Sequence, residues 1–160
     1  MSQVGQPTTR VTSHLKLATP EDEEAILPLL LRFILESPYK DITLNITKVR
    51  KGVRDMVIGS NDNIVILGYH KERLSGFIAL KAYELPFSHD RVAAEIAFYV
   101  NPDARGSRLG LDLYTAAEFW SRKVGCAYMQ MVNLSTNEGV QKFYERKGYK
   151  RYEQAWLKEL

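Results

Sequence analysis

The 160 residues are 45% hydrophobic and 26% charged, with 22 basic against 19 acidic side chains and a formal net charge of +3. That is chain enough for one core and short for two, and with 10 basic against 9 acidic residues up to residue 80 and 12 against 10 after it, neither half carries the excess that nucleic-acid binding calls for. One cysteine, Cys126, excludes an internal disulfide, and His14, His70 and His89 are too dispersed for a zinc site, so no metal is expected.

Residues 1–13 are polar and lack the apolar segment of a secretory signal, so they read as a flexible tail ahead of one domain over 14–160. Leu15 and Leu17 alternate with polar neighbours as a short strand. Thr19-Pro20-Glu21-Asp22 then supplies an N-cap, a proline at the first helical position and acidic residues for the helix dipole. The helix carries Ile26, Leu29, Leu30, Phe33 and Ile34 at helical spacing and stops near Ser37-Pro38. Its apolar stretch, Ala25 to Leu35, is 11 residues broken by Pro28 and Arg32, far below the ~20 needed to span a bilayer. A cytoplasmic protein without membrane contact is expected.

A second helix is expected from Thr47 to Ile58, with Val49, Val53, Met56 and Val57 on one face and an end at Gly59. Ile64 to Tyr69 and Leu74 to Ala82 read as a hairpin around Lys71-Glu72-Arg73, with Gly76 allowing close packing or a bulge. Leu85 to Arg91 reads as a surface loop. Ala93 to Val100 is a third strand, with Ile96, Phe98 and Val100 on one face and Glu95, Ala97 and Tyr99 on the other.

From Leu109 to Val124 the apolar positions recur three and four apart, and Gly125 is placed to end the helix. Cys126 follows in an apolar run that suits a buried, inert thiol. Tyr128 to Leu134 reads as a strand, Asn137 to Lys147 as a helix ended by Gly148, and Tyr149 to Leu157 as one or two closing strands. The order β-α-α-β-β-β-α-β-α-β-β predicts an α/β (α+β) domain: a mixed, mostly antiparallel central sheet with helices on both faces.

Between the third strand and its helix lies Arg105-Gly106-Ser107-Arg108-Leu109-Gly110. Two glycines allow a tight turn, so that several N–H groups and the positive end of the following helix can face one anion, and two arginines add charge. The arrangement suits a pyrophosphate, although an ordinary charged loop has the same composition. It lacks the Lys-Ser/Thr pair of a nucleoside-triphosphate loop and the glycine spacing of a dinucleotide fold.

This loop resembles the GNAT superfamily signature Gln/Arg-x-x-Gly-x-Gly/Ala, with Arg105 and Gly110 matching its ends and Arg108 standing where the inner glycine usually is. Some thirty residues on, Asn137-Glu138-Gly139-Val140-Gln141-Lys142-Phe143-Tyr144-Glu145-Arg146-Lys147-Gly148-Tyr149 is similar to the family's Asn-x-x-Ala-x-x-Phe/Leu-Tyr-x-x-x-Gly-Phe, departing at Val140 and Tyr149. Leu17 to Asp22 is similar to its first strand and helix cap, so the resemblance runs from about residue 15 to 160. Ser37-Pro38-Tyr39 and the closing Trp156-Leu157-Lys158-Glu159-Leu160 also look like small acetyltransferases carried by tailed bacteriophages.

The resemblance implies an N-acetyltransferase with acetyl-CoA as cosubstrate. The pantetheine arm would pair with the strand at Phe98, Tyr99 and Val100, and the pyrophosphate would sit on Arg105, Gly106, Ser107, Arg108, Leu109 and Gly110. Asn137 would bond the arm. Tyr144 would contact the cofactor and protonate the leaving thiolate, and Glu95 would be the base that deprotonates the amine, where other members use water. Tyr39 and the loop around Phe87 and His89 stand where the family shapes its acceptor pocket.

The implied partner is an amine-bearing acceptor, protein or small molecule. Family members often dimerise, so a homodimer fits, with no residue marking its contact. Two other readings follow from the same residues: a CoA-binding module without catalysis, and a toxin-type enzyme acting on aminoacyl-tRNA. The second needs a basic track, for which Lys48, Arg50, Lys51 and Arg54 on the second helix are the local cluster; a solvated helix face is the plainer meaning of that cluster.

Overall fold

The computed structural model describes residues 13–58, 60–134 and 138–160. The chain divides into two compact units, one ending at Gln130 and the other beginning at Met131. In the first unit β1 (Ser13–Leu17), α1 (Glu23–Glu36), α2 (Ile46–Ile58), β2 (Asn63–His70), β3 (Arg73–Glu84), β4 (Arg91–Val100), α3 (Leu109–Lys123) and β5 (Tyr128–Gln130) follow in order. The second holds α4 (Glu138–Arg146).

The sheet has the order β1-β2-β3-β4-β5, antiparallel except for the parallel pairing of β4 with β5. The α/β architecture is the expected one, a mostly antiparallel sheet flanked by helices. On one face Val65, Leu67, Phe77, Ala79, Ala97 and Tyr99 pack against Ile26, Leu29 and Val53 of α1 and α2. On the other, Leu109 and Leu113 of α3 lie over Gly68 and Gly76, which are register partners on β2 and β3. A Cβ on Gly68 would stand 2.7 Å from Leu109 Cδ1, and one on Gly76 would stand 2.8 Å from the Tyr99 carbonyl oxygen. This pair of missing side chains lets the first turn of α3 settle on the sheet.

Two bulges shape β4 and its surroundings. On β3, Ser75 is skipped between the pairs Gly68↔Gly76 and Tyr69↔Leu74, and its carbonyl accepts the Asn101 N–H at 2.7 Å. On β4, Ile96 is skipped between Ala79↔Ala97 and Leu80↔Glu95; a bulge adds one residue, shifts the alternation and increases local twist.

The start of α1 is more structured than a simple cap. A 3-10 turn, Pro20–Asp22, precedes it, and Asp22 accepts from the Thr19 N–H at 2.8 Å and from Lys16 Nζ at 2.6 Å. Burial opposes ionisation of this carboxyl, but those donors outweigh it and lower its pKa. Pro28 sits inside α1 without ending it, and α2 is tied to α1 by Arg54 donating to Glu23 at 2.8 Å and by the Arg50–Glu24 ion pair.

Gly125 and Gly148 have φ of +77° and +87° and follow α3 and α4 as expected; Gly59, expected to end α2, lies outside the described residues. Residues 149–157 depart from the expectation of closing strands: they carry no strand pairing, and 150–160 are exposed. Tyr149, Tyr152 and Trp156 stand three and four apart, without the period of two that buries one strand face, and a strand exists only through the ladder that a neighbour supplies.

Candidate acyl-CoA site

The site is framed by the C-terminal half of β4. Strand β5 accompanies β4 only along Val92–Ala94, while β3 follows it to Val100. From Glu95 onward, among the described residues, no strand covers the β5 side of β4. Along that edge an extended, amide-bearing arm can add as a strand at Phe98, Tyr99 and Val100.

Beyond Val100 the chain makes a 3-10 turn, Pro102–Ala104, then Gly106 at φ +86°, and enters α3 at Leu109. Every helix leaves its first N–H groups without intrahelical acceptors. Here the Ser107 hydroxyl takes the Leu109 N–H at 3.2 Å and Arg108 O takes the Asp112 N–H at 2.9 Å. Among the described residues, the N–H groups of Gly106, Arg108, Gly110 and Leu111 have no acceptor. Four such donors around one turn at a helix N-terminus fit a diphosphate by charge and by hydrogen-bond count. Open space around Gly106, where an added Cβ meets nothing within 4 Å, leaves room for it.

The two arginines of this loop have different positions. Arg108 is 79% exposed and rests 3.5 Å from Asp112, so the residue that replaces the signature glycine turns outward and leaves its backbone accessible. We expect Arg108→Gly to change CoA affinity by less than about fivefold, since an exposed charge pair is worth at most about 1 kcal/mol. Titration calorimetry checks this, and a tenfold loss would assign the binding to the side chain.

Arg105 turns inward: its Nε donates to Val100 O at 2.8 Å and its Nη2 to Glu36 Oε2 at 2.5 Å. Its backbone N–H is taken by Asn101 O. These bonds tie Arg105 to the end of β4 and to α1, underneath the loop that it opens. Tyr99 shares the core face with Ala97. Its ring is 5% exposed in the core and its hydroxyl donates to Glu36 Oε1 at 2.6 Å, so what it offers an arm is its backbone. Burial, together with the bond to Glu36, pushes its phenol up to about 12.

Phe98 and Val100 stand opposite Ile78 and Gly76, on the sheet face covered by α3, and an added Cβ on Gly110 would be 3.8 Å from Val100 Cγ2. Glu95 is half-buried. Simple alternation had put it beside Ala97 and Tyr99; the bulge at Ile96 moves it opposite Leu80, so it faces away from that core cluster.

In the second unit Tyr144 is half-buried in the last turn of α4. Its ring lies 5.7 Å from that of Phe143 and 5.4 Å from that of Tyr149, and its carbonyl accepts the N–H groups of Lys147 and Tyr149 at 3.0 Å. The family motif thus forms a small aromatic cluster around the Gly148 turn. Asn137, expected to bond the arm, lies outside the described residues.

Tyr39 is 42% exposed in the 3-10 turn Pro38–Asp41 that follows α1, three residues from Glu36. The loop with Phe87 and His89 joins β3 to β4 at the opposite end of β4 from Val100, about 30 Å away for ten strand residues. The structure therefore separates it from the loop at 105–110. Sequence reasoning missed Glu36, Arg32 and Asn101, whose side chains meet around this loop; Glu36 looks in the sequence like any polar helix end.

The model of the Acetyltransferase (GNAT) family matches residues 32–149. The chain belongs to that family. Acetyl transfer from acetyl-CoA is the general reaction of GNAT proteins; of the stretches that resemble the superfamily, 105–110 and 137–149 fall inside the match and 17–22 lies ahead of it. No curated protein matches the sequence.

Solved structures share the GNAT fold over nearly the whole chain. A transcriptional regulator from Bacillus halodurans C-125 is 17% identical at a TM-score of 0.74, covering 93% of this chain and 100% of that one. A ribosomal-protein-alanine N-acetyltransferase from Brucella melitensis biovar Abortus 2308 is 14% identical at 0.69, covering 93% and 99%. Glucosamine-6-phosphate N-acetyltransferase from Arabidopsis thaliana is 12% identical at 0.70, covering 92% and 98%. At these identities the likeness is one of fold. No helix among the described residues is long and apolar enough to cross a membrane.

Proposed function

We propose that the protein is an N-acetyltransferase that moves the acetyl group of acetyl-CoA to a primary amine by direct attack in a ternary complex. The observation that carries this reading is the set of four unpaired N–H groups at Gly106, Arg108, Gly110 and Leu111, set beside the open edge of β4. In this reading the loop takes the pyrophosphate and the edge at Phe98, Tyr99 and Val100 takes the amides of the arm.

The amine nitrogen attacks the acetyl carbonyl, the C–N bond forms and the C–S bond breaks. Backbone N–H groups near Val100 stabilise the oxyanion. Tyr144 protonates the departing thiolate, and Glu95, directly or through water, takes the proton that the amine must lose. Tyr39 lines the acceptor side. The acceptor is a protein lysine, a protein N-terminus or a small amine; proteins of the same fold include a ribosomal-protein-alanine N-acetyltransferase and a glucosamine-6-phosphate N-acetyltransferase.

The basic cluster on α2 favours this reading over aminoacyl-tRNA. Arg50 pairs with Glu24, Arg54 with Glu23, and Lys51 with Asp55, so the cations are largely neutralised within the chain and form no track for a phosphate backbone. Calorimetric titration with acetyl-CoA, followed by mass-spectrometric comparison of acetylation in cells with and without the protein, tests the proposal. Binding and new acetylated amines are expected. Binding with no transfer to any amine would leave a CoA-binding module, and no binding would remove the cofactor reading itself.

A further inference from the structure

The geometry points to Glu36 as a positioning residue that holds the end of β4 and the anion-binding loop in their working arrangement; its relevance to catalysis rests on the acetyl-CoA reading above. Glu36 is the last residue of α1. One carboxylate oxygen accepts from the Tyr99 hydroxyl at 2.6 Å and the other from Arg105 at 2.5 Å. Arg105 then donates through Nε to Val100 O at 2.8 Å, and its guanidinium carbon stands 5.4 Å from the centre of the Tyr99 ring. The links close on themselves: Tyr99 side chain, Glu36, Arg105, Val100 backbone and back to Tyr99.

One turn earlier on α1, Arg32 donates to Asn101 Oδ1 at 3.1 Å. Asn101 is itself 6% exposed, donates its N–H to Ser75 O and accepts those of Ala104 and Arg105. Helix α1 therefore grips the chain at 99, 101 and 105, immediately before the four free N–H groups begin at 106. A loop that already presents its donors spares a bound diphosphate the entropy of ordering them.

The protonation states suit this role. Burial opposes ionisation of Glu36, but the bonds from Tyr99 and Arg105 overcome it and lower its pKa, while the Tyr99 phenol stays protonated as a donor. The carboxylate is also 43% exposed and Arg105 is 49% exposed, and exposed ion pairs add little to stability. A purely structural role would thus show as a small change in melting and nothing else. A positioning role shows locally in the loop.

The test uses the whole chain with Glu36→Ala and Glu36→Gln, the second keeping an oxygen that can accept one of the two bonds. Hydrogen exchange of the ligand-free protein is read at residues 100–111 and, for comparison, in β2. Faster exchange confined to 100–111 in Glu36→Ala, with Glu36→Gln intermediate, is expected. CoA affinity by calorimetry should fall about tenfold in Glu36→Ala, and the same change placed on Arg105→Ala should add less than about twofold, because Glu36 acts through Arg105.

Unchanged exchange at 100–111 would overturn the proposal whatever CoA does. Faster exchange there in a protein whose wild type fails to bind CoA would keep the positioning role and sink the cofactor reading. Faster exchange spread equally through β2, with CoA affinity unchanged, would make Glu36 a general stabiliser and also overturn the proposal.

Discussion

Tyr144→Phe is expected to lower kcat by about a hundredfold while CoA affinity changes less than about threefold, the range in which a single general acid acts. The substitution removes one hydroxyl and keeps the ring that lies between Phe143 and Tyr149, so the turn of α4 and its carbonyl bonds to Lys147 and Tyr149 should survive. Loss of an acid that acts only as the C–S bond breaks lowers kcat and kcat/KM together. An increase in KM for acetyl-CoA with kcat intact would instead make Tyr144 a binding contact. Steady-state kinetics with a reactive amine, beside calorimetry on both proteins, separates the outcomes; identical kinetics would remove Tyr144 from the reaction.

The helices and the turn that makes up the candidate anion loop are legible in the sequence because their signals are local. Helix α3 announces itself through Leu109, Leu113, Ala117 and the following Gly125, and the loop before it through two glycines within five residues. The motif around Tyr144 is likewise continuous in sequence. What stayed hidden depends on distant partners. Glu36 meets Tyr99 and Arg105 from 63 and 69 residues away, so nothing near Glu36 marks it, and the motif around Arg105 gives no sign of its bonds to Val100 O and Glu36.

The bulge at Ile96 was hidden for another reason. Ala94 to Val100 contains small and apolar residues on both alternations, so period-two reading continues smoothly through a point where the ladder skips one residue, and the face of Glu95 came out reversed. The closing segment failed in the opposite sense. Its aromatic Tyr149, Tyr152 and Trp156 are residue types that strands favour, but they stand three and four apart, and residues 150–160 stay exposed without a ladder. Glycine was intermediate: close packing at Gly76 was foreseen, but its register partner Gly68 becomes visible only when the two strands are laid side by side.

That glycine pair carries the second large expectation. Gly76→Ala should lower the melting temperature by roughly 5 °C and weaken CoA binding. The new Cβ would lie 2.8 Å from Tyr99 O and 3.3 Å from both Leu113 Cδ1 and Val100 Cγ2; the nearest atom is backbone and cannot rotate away. Overpacking of this kind costs about 1–3 kcal/mol, against about 0.5–1 kcal/mol gained by replacing glycine in a strand, and 1 kcal/mol moves the midpoint of a domain this size by about 2–4 °C.

Gly68→Ala should cost less, since its nearest neighbour at 2.7 Å is the end of the Leu109 side chain. Gly110→Ala should cost nothing, because its Cβ would find only Val100 Cγ2 at 3.8 Å and alanine is the better helix former by about 1 kcal/mol. Thermal melts should therefore rank the three variants as Gly76 lowest, then Gly68, then Gly110. The physical point lies in the affinity at Gly76: displacing Tyr99 O moves the peptide that leads into Val100 and the loop, so CoA binding should fall by more than the lost stability implies. A variant that melts early yet binds CoA like wild type well below its melting temperature would show that the strand end at Tyr99 and Val100 does not meet the cofactor.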